Sequence, residues 1–228
     1  MLRGFLWPFV FVLGAGLAWL AWQHLPRPYN PFAALQVEDP LTPMTAFKLR
    51  RLRSDAGYCA AALATAPMPV TPRPGAGSAQ CPLPDAVQVQ SSNTVRLSGS
   101  FLASCPLAVG YALWERHVLQ PLAQQHLGSA ATRVTHLGSY ACRSVRGGTR
   151  QSEHATANAI DISAVGLADG RSITVERHWE DAGVAGGFLR ALHKQSCRIF
   201  SMALGPAYDA AHHTHFHFGM GGRFGLCR

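Results

Sequence analysis

Lysine is almost missing: Lys48 and Lys194 are the only two in 228 residues. The formal charge of +8 therefore rests on arginines, and these are scattered along the chain rather than gathered on a recognisable reading helix. That argues against a nucleic-acid partner. Charged residues of both signs amount to 14%, against 48% hydrophobic, which excludes a disordered chain and leaves enough apolar material for one buried core. No C-x-x-C pair occurs, so a zinc ribbon and a dithiol redox motif are both excluded. There is no internal repeat.

What is present begins with an apolar run. "GFLWPFVFVLGAGLAWLAW", Gly4–Trp22, carries no charge and is long enough to cross a bilayer as a helix. No small-x-small cleavage site follows it, so it reads as an uncleaved anchor, residues 1–24, with Trp7, Trp19 and Trp22 near its ends. A Pro-rich linker, 25–42, leads to a packed domain over 43–228. Six cysteines, Cys59, Cys81, Cys105, Cys142, Cys197 and Cys227, read as disulfides of an exported domain. Six permit fifteen connectivities; the pairing expected is Cys59–Cys81, Cys105–Cys142 and Cys197–Cys227.

Helical spacing is clearest in "CPLAVGYALWERHVLQPLAQQHLG", where Leu107, Tyr111, Trp114, Val118 and Leu122 recur and Gly128 supplies a stop. Helical character is also expected in "PMTAFKLRRLRSDAGYCAAAL" and "AGVAGGFLRALHKQSC". "VQVQ" and "TVRLSG" read as a hairpin about "SSN", "TRVTHLGSYACR" and "AIDISAV" as strands, and "GLADGRS" as an Asp-Gly turn before "ITV". The order predicts an α+β fold, a small antiparallel sheet carrying the polar clusters and flanked by helices, with the transmembrane helix preceding it.

Of the eleven histidines, His24, His117, His126, His136, His178 and His193 stand alone and read as surface or hydrogen-bonded core positions. "HHTHFHFGM" differs. In a strand, His213, His215 and His217 share one face and Thr214, Phe216 and Phe218 the other. Three aligned imidazoles pack poorly because each brings polar nitrogens that need partners, and a metal is a natural partner. In "SEHATANAIDIS", His154 and Asp161 are seven residues apart, which in a straight strand would put them on opposite faces. The segment is therefore expected to bend, with small Ala155, Ala157 and Ala159 letting the backbone turn tightly. His154, Asp161 and one histidine of "HTHFH" then make a three-ligand set of the catalytic zinc type, with a fourth position left for water. The competing reading is an ordinary loop and strand.

These residues resemble a known family. "SEHATANAID" is similar to the S-x-H-x-x-[small]-x-A-x-D signature, and "HTHFH" contains the H-x-H signature, of the zinc peptidases grouped with lysostaphin, D-Ala-D-Ala carboxypeptidase and hedgehog. More closely, the pattern from Tyr140 to Phe218 resembles the bacterial extensin-like C-terminal domain proteins. One departure from the peptidase signature is Ala157, where Gly is common. The resemblance implies His154, Asp161 and His217 as zinc ligands, His215 as the catalytic histidine and His212 as a further active-site histidine, with no role for His213. Arg143 and Ser152 are candidates for substrate binding. Arg143 would hold a substrate carboxylate, bridge to Asp161 or form a structural ion pair, and Ser152 would orient the bend or simply make the turn.

What the resemblance further implies is a zinc-dependent peptidoglycan hydrolase, an endopeptidase or carboxypeptidase that cleaves an amide in stem peptides or crosslinks by attack of zinc-held water. His215 or His212 would move the proton; Glu153 and Asp209 are bases by type but lie outside the matching positions. The expected partners are peptidoglycan peptides and the membrane, with a single-pass inner-membrane anchor and the domain in the periplasm. The alternative is a non-catalytic zinc domain that binds cell-wall polymer; the presence of both His212 and His215 favours catalysis. A plant-extensin-like structural protein is excluded because Ser-Pro repeats are lacking.

Overall fold

The computed structural model describes residues 8, 10–16, 19–20, 24–92, 94–145, 148–221 and 225–228. Part of the expected anchor, including Trp7 and Trp22, lies outside the described residues. Among those described, no helix is long and apolar enough to cross a membrane.

After the helical residues 10–16 near the N-terminus, two short helices follow. In α1 (Pro43–Leu52), Thr42 Oγ1 accepts the Met44 N–H, and Pro43 occupies the first turn, where its missing N–H costs nothing. In α2 (Ala56–Leu63) the Asp55 carboxylate accepts the Tyr58 N–H. That cap divides the helical stretch read from Pro43 to Leu63 in two. Within the Pro-rich segment 25–42, Leu35 and Val37 are buried in the main core, and Arg27 pairs with Asp39 at 2.6 Å.

The central helix is α3 (Cys105–Trp114), continued through a π turn at Glu115–Leu119 into α4 (Gln120–Leu127). Pro121 has no N–H to give and its ring crowds the carbonyl four residues back; the widened turn absorbs both effects. Gly128, at φ 64°, ends the helix in the left-handed conformation that glycine adopts freely. Every residue from Leu107 to Trp114 is buried, so α3 forms the middle of the core rather than one side of it.

The strands are β1 (Val70–Pro72), β2 (Ala76–Gly77), β3 (Pro82–Leu83), β4 (Val87–Val89), β5 (Arg96–Leu97), β6 (Phe101–Ala103), β7 (Ala131–Gly138), β8 (Ala159–Leu167), β9 (Ser172–Thr174), β10 (Met202–Leu204), β11 (Phe216–Gly219) and β12 (Leu226–Cys227). Seven of them form the main sheet in the order β12-β10-β11-β8-β7-β5, with β9 also on β8. Its pairs are antiparallel except β5 with β7 and β10 with β12. Between β9 and β10 run α5 (Val175–His178) and α6 (Val184–Ser196). The indole N–H of Trp114 donates to Ser196 Oγ at 2.9 Å, tying α3 to α6. Phe216 and Phe218 of β11 are buried in the core, and Phe218 lies 5.8 Å from the Trp114 ring.

Three expectations are corrected. The hairpin about "SSN" does not form: β4 pairs with β1 and β6, while β5 runs beside β7. Ser92 and Thr94 hydroxyls both donate to Glu115 Oε1, at 2.7 and 2.5 Å, and that buried carboxylate draws the connection away from β4. The histidine strand starts later than expected, at Phe216, because Asp209 accepts the N–H groups of Ala211 and His212 and holds 210–212 in a 3-10 turn. His213 therefore leaves the shared face and is exposed. The disulfides are Cys59–Cys105, Cys81–Cys142 and Cys197–Cys227, so only the last expected pair forms. Packing of α2 on α3 sets the first, and the second joins the β3 loop to the chain after β7, where Tyr140 Oη donates to the Cys81 carbonyl at 2.9 Å.

Candidate metal centre

The site is assembled on β8 and β11. These strands are antiparallel neighbours with His217 directly opposite Asp161. Alternation along each strand sends Ile160, Ile162, Phe216 and Phe218 into the core, and Asp161 and His217 to the other face.

His154 arrives from the bend before β8. Ser152 Oγ accepts the His154 N–H at 3.3 Å and opens a 3-10 turn, Glu153–Thr156. Ala157 then takes φ 49°, ψ 37°, and is the one non-glycine residue of positive φ among those described. This left-handed residue turns the chain into β8 and lets residues of opposite strand parity meet. Ser104, the N-cap of α3, pins the bend: its N–H donates to the Ala157 carbonyl at 2.8 Å and its hydroxyl to Asn158 Oδ1 at 2.6 Å.

Three donor atoms of His154, Asp161 and His217 lie within 4.8 Å of one another. His154 Nε2 is 3.1 Å from His217 Nδ1 and 3.2 Å from Asp161 Oδ2, and His217 Nδ1 is 3.0 Å from Asp161 Oδ1. A tetrahedral ion with bonds of about 2.0–2.2 Å separates its donors by about 3.3–3.6 Å, so small adjustments admit one. The orientation of His154 fits the same purpose. Its Nδ1–H donates to the Ser139 carbonyl at 3.1 Å, which leaves the Nε2 lone pair facing the cluster. Burial pushes the Asp161 carboxyl up, but hydrogen bonds and charge from His154 and His217 outweigh it and hold the group well below the usual carboxylate range. The carboxylate is thus ionised, as a ligand must be. The set can hold a metal ion.

His215 and His212 stand beside this set. His215 Nε2 lies 3.7 Å from Asp161 Oδ2 and its Nδ1 3.1 Å from Thr214 Oγ1. Burial lowers its pKa, the Asp161 charge opposes that, and the neighbouring histidines lower it further, for a net fall. The His212 ring is 5.4 Å from that of His215 and 6.0 Å from that of His217. Its Nδ1–H donates to Asp209 Oδ1 at 2.6 Å. Burial alone would raise the Asp209 pKa, but this bond and the His212 charge lower it.

Not every candidate joins the cluster. Arg143 is exposed, its carbonyl accepts the Ser152 N–H at 3.0 Å, and among the described residues no ion pair links it to Asp161. The Ser139 carbonyl and the Asp209–His212 pairing escaped sequence reading. A backbone carbonyl leaves no trace in sequence, whereas the i, i+3 spacing of Asp209 and His212 was a usable signal. A cavity of about 640 Å³ lined by Met68, Glu115 and His117, among others, shares no residue with the cluster.

No curated protein and no solved structure matches the chain. The extensin-like protein C-terminus family matches residues 57–228, a span that holds the whole cluster, and the chain belongs to that family.

Proposed function

We propose that the chain is a zinc-dependent peptidoglycan hydrolase, an endopeptidase or carboxypeptidase cleaving an amide bond in cell-wall stem peptides or crosslinks. The observation that carries this reading is the convergence of His154, Asp161 and His217 on one point with His215 and His212 alongside. Two imidazoles and one carboxylate are a donor set that suits zinc in hydrolytic sites. The resemblance of "SEHATANAID" and "HTHFH" to the zinc peptidases supplies the substrate class.

When bound, zinc supplies an acidified water and a Lewis acid for the scissile carbonyl. The chain's own residues would do the rest. Asp209 keeps the His212 proton on Nδ1, so Nε2 is free to accept a proton from the attacking water. With the Thr214 hydroxyl donating to His215 Nδ1, the His215 Nε2–H faces the site and can donate to the carbonyl oxygen as charge develops there. Its lowered pKa keeps His215 neutral near pH 7. Three disulfides and the apolar run Gly4–Trp22 support an exported domain on a single-pass inner-membrane anchor, which we place in the periplasm.

The test is turnover of purified muropeptides by the zinc-loaded chain and by His215→Ala. The variant is expected to keep its metal and lose about 10²–10⁴-fold in rate. Unchanged turnover would remove His215 from the mechanism. A zinc-loaded, unaltered chain that binds peptidoglycan without cleaving it would favour the non-catalytic wall-binding alternative.

A further inference from the structure

The Glu153 carboxylate lies beside the metal centre. Glu153 Oε2 is sealed from solvent and has no hydrogen-bond partner among the described residues. A buried acceptor in that state is costly, so a donor must be supplied when the protein works. Its surroundings name one. A Cβ on Gly219 would collide with Glu153 Oε2 and lie 3.4 Å from His217 Nε2, and a Cβ on Gly221 would lie 2.8 Å from Glu153 Oε1. The missing side chains at Gly219 and Gly221 make room for the Glu153 carboxylate at the end of β11, and the Nε2 edge of His217 faces the same position at Gly219.

The chemistry of His217 supplies the missing proton. Both side-chain hydrogen bonds that His217 makes among the described residues run through Nδ1, toward His154 and Asp161. A metal held through Nδ1 takes that lone pair, and the neutral ring must then carry its proton on Nε2. Ligating histidines ordinarily give this second N–H to a carboxylate or a carbonyl, as His154 does to Ser139. We propose that Glu153 is the carboxylate partner of the His217 Nε2–H, a positioning residue that fixes the tautomer and ring orientation of this metal ligand. The proposal rests on the metal-centre reading above and deepens it: one turn would deliver a ligand, His154, and the next ligand's support, Glu153.

Zinc affinity measured by competition with a chromogenic chelator tests this, with the full chain and its Glu153→Ala and Glu153→Gln variants. Glu153→Ala is expected to bind zinc about 10- to 100-fold more weakly. Glu153→Gln, whose amide oxygen can still accept, is expected to fall between the two and covers the case in which the alanine variant fails to fold. In ¹⁵N-labelled zinc-loaded protein, the His217 Nε2–H is expected as a protected proton that Glu153→Ala exposes to solvent exchange. If the unaltered chain binds zinc and Glu153→Ala binds it as tightly with the Nε2–H still protected, this proposal is overturned and the metal centre stands. If the unaltered chain binds no zinc, both fall.

Discussion

Ala157 carries the geometry of the site in one residue. At φ 49° its Cβ crowds the following carbonyl, a strain of about 1 kcal/mol that glycine does not bear. Ala157→Gly is therefore expected to leave stability unchanged or raise it by up to about 1 kcal/mol in chemical denaturation; a clear loss would mean that the methyl group's packing matters more than the turn. At His217 the expectation is opposite in kind. His217→Ala should abolish stoichiometric zinc binding, measured by metal analysis of the purified chain, and full retention would sink the ligand assignment. The candidate ligands His154 and Asp161 were legible in the sequence because ligand chemistry restricts side-chain type and spacing, whereas His217 was singled out among the histidines of "HTHFH" only by the family resemblance. The Ser139 carbonyl was not legible, since any residue supplies one.

Among elements, the helix from Cys105 to Leu127 was readable because its apolar spacing and its glycine stop are local signals. The path of residues 92–97 was not, because it is set by Glu115 from a distant helix. Burial pushes the Glu115 carboxyl up, and the hydrogen bonds from Thr94 and Ser92 only partly offset it. A carboxyl whose folded pKa is raised favours the folded state most below its unfolded pKa, and that benefit is lost as pH rises through the folded value. Glu115→Gln keeps an acceptor for Ser92 and Thr94 without the charge. Thermal unfolding across pH 4–8 should show the variant at least as stable as the parent near pH 8, by on the order of 1 kcal/mol, with the difference shrinking toward pH 4. A variant that is less stable at pH 8 would contradict this sign.

Across the whole molecule, three disulfides brace the parts that carry the site. Cys81–Cys142 holds the segment after β7 close to the bend, Cys59–Cys105 fixes the start of the helix that pins it, and Cys197–Cys227 ties β12 to the end of α6. Their pairing was not legible because contacts between distant loops decide it. Reduction should lower stability by about 2–5 kcal/mol per bond lost, with zinc affinity falling alongside, as followed by denaturation with and without reductant. Unchanged zinc affinity in a fully reduced, folded chain would show that the centre needs no such bracing. Whether the metal centre hydrolyses cell-wall amides is read from mass spectrometry of peptidoglycan fragments after digestion with the zinc-loaded chain. We expect new termini at one kind of stem-peptide amide bond, absent after chelation and restored by zinc; unchanged fragments with the zinc-loaded chain would contradict it.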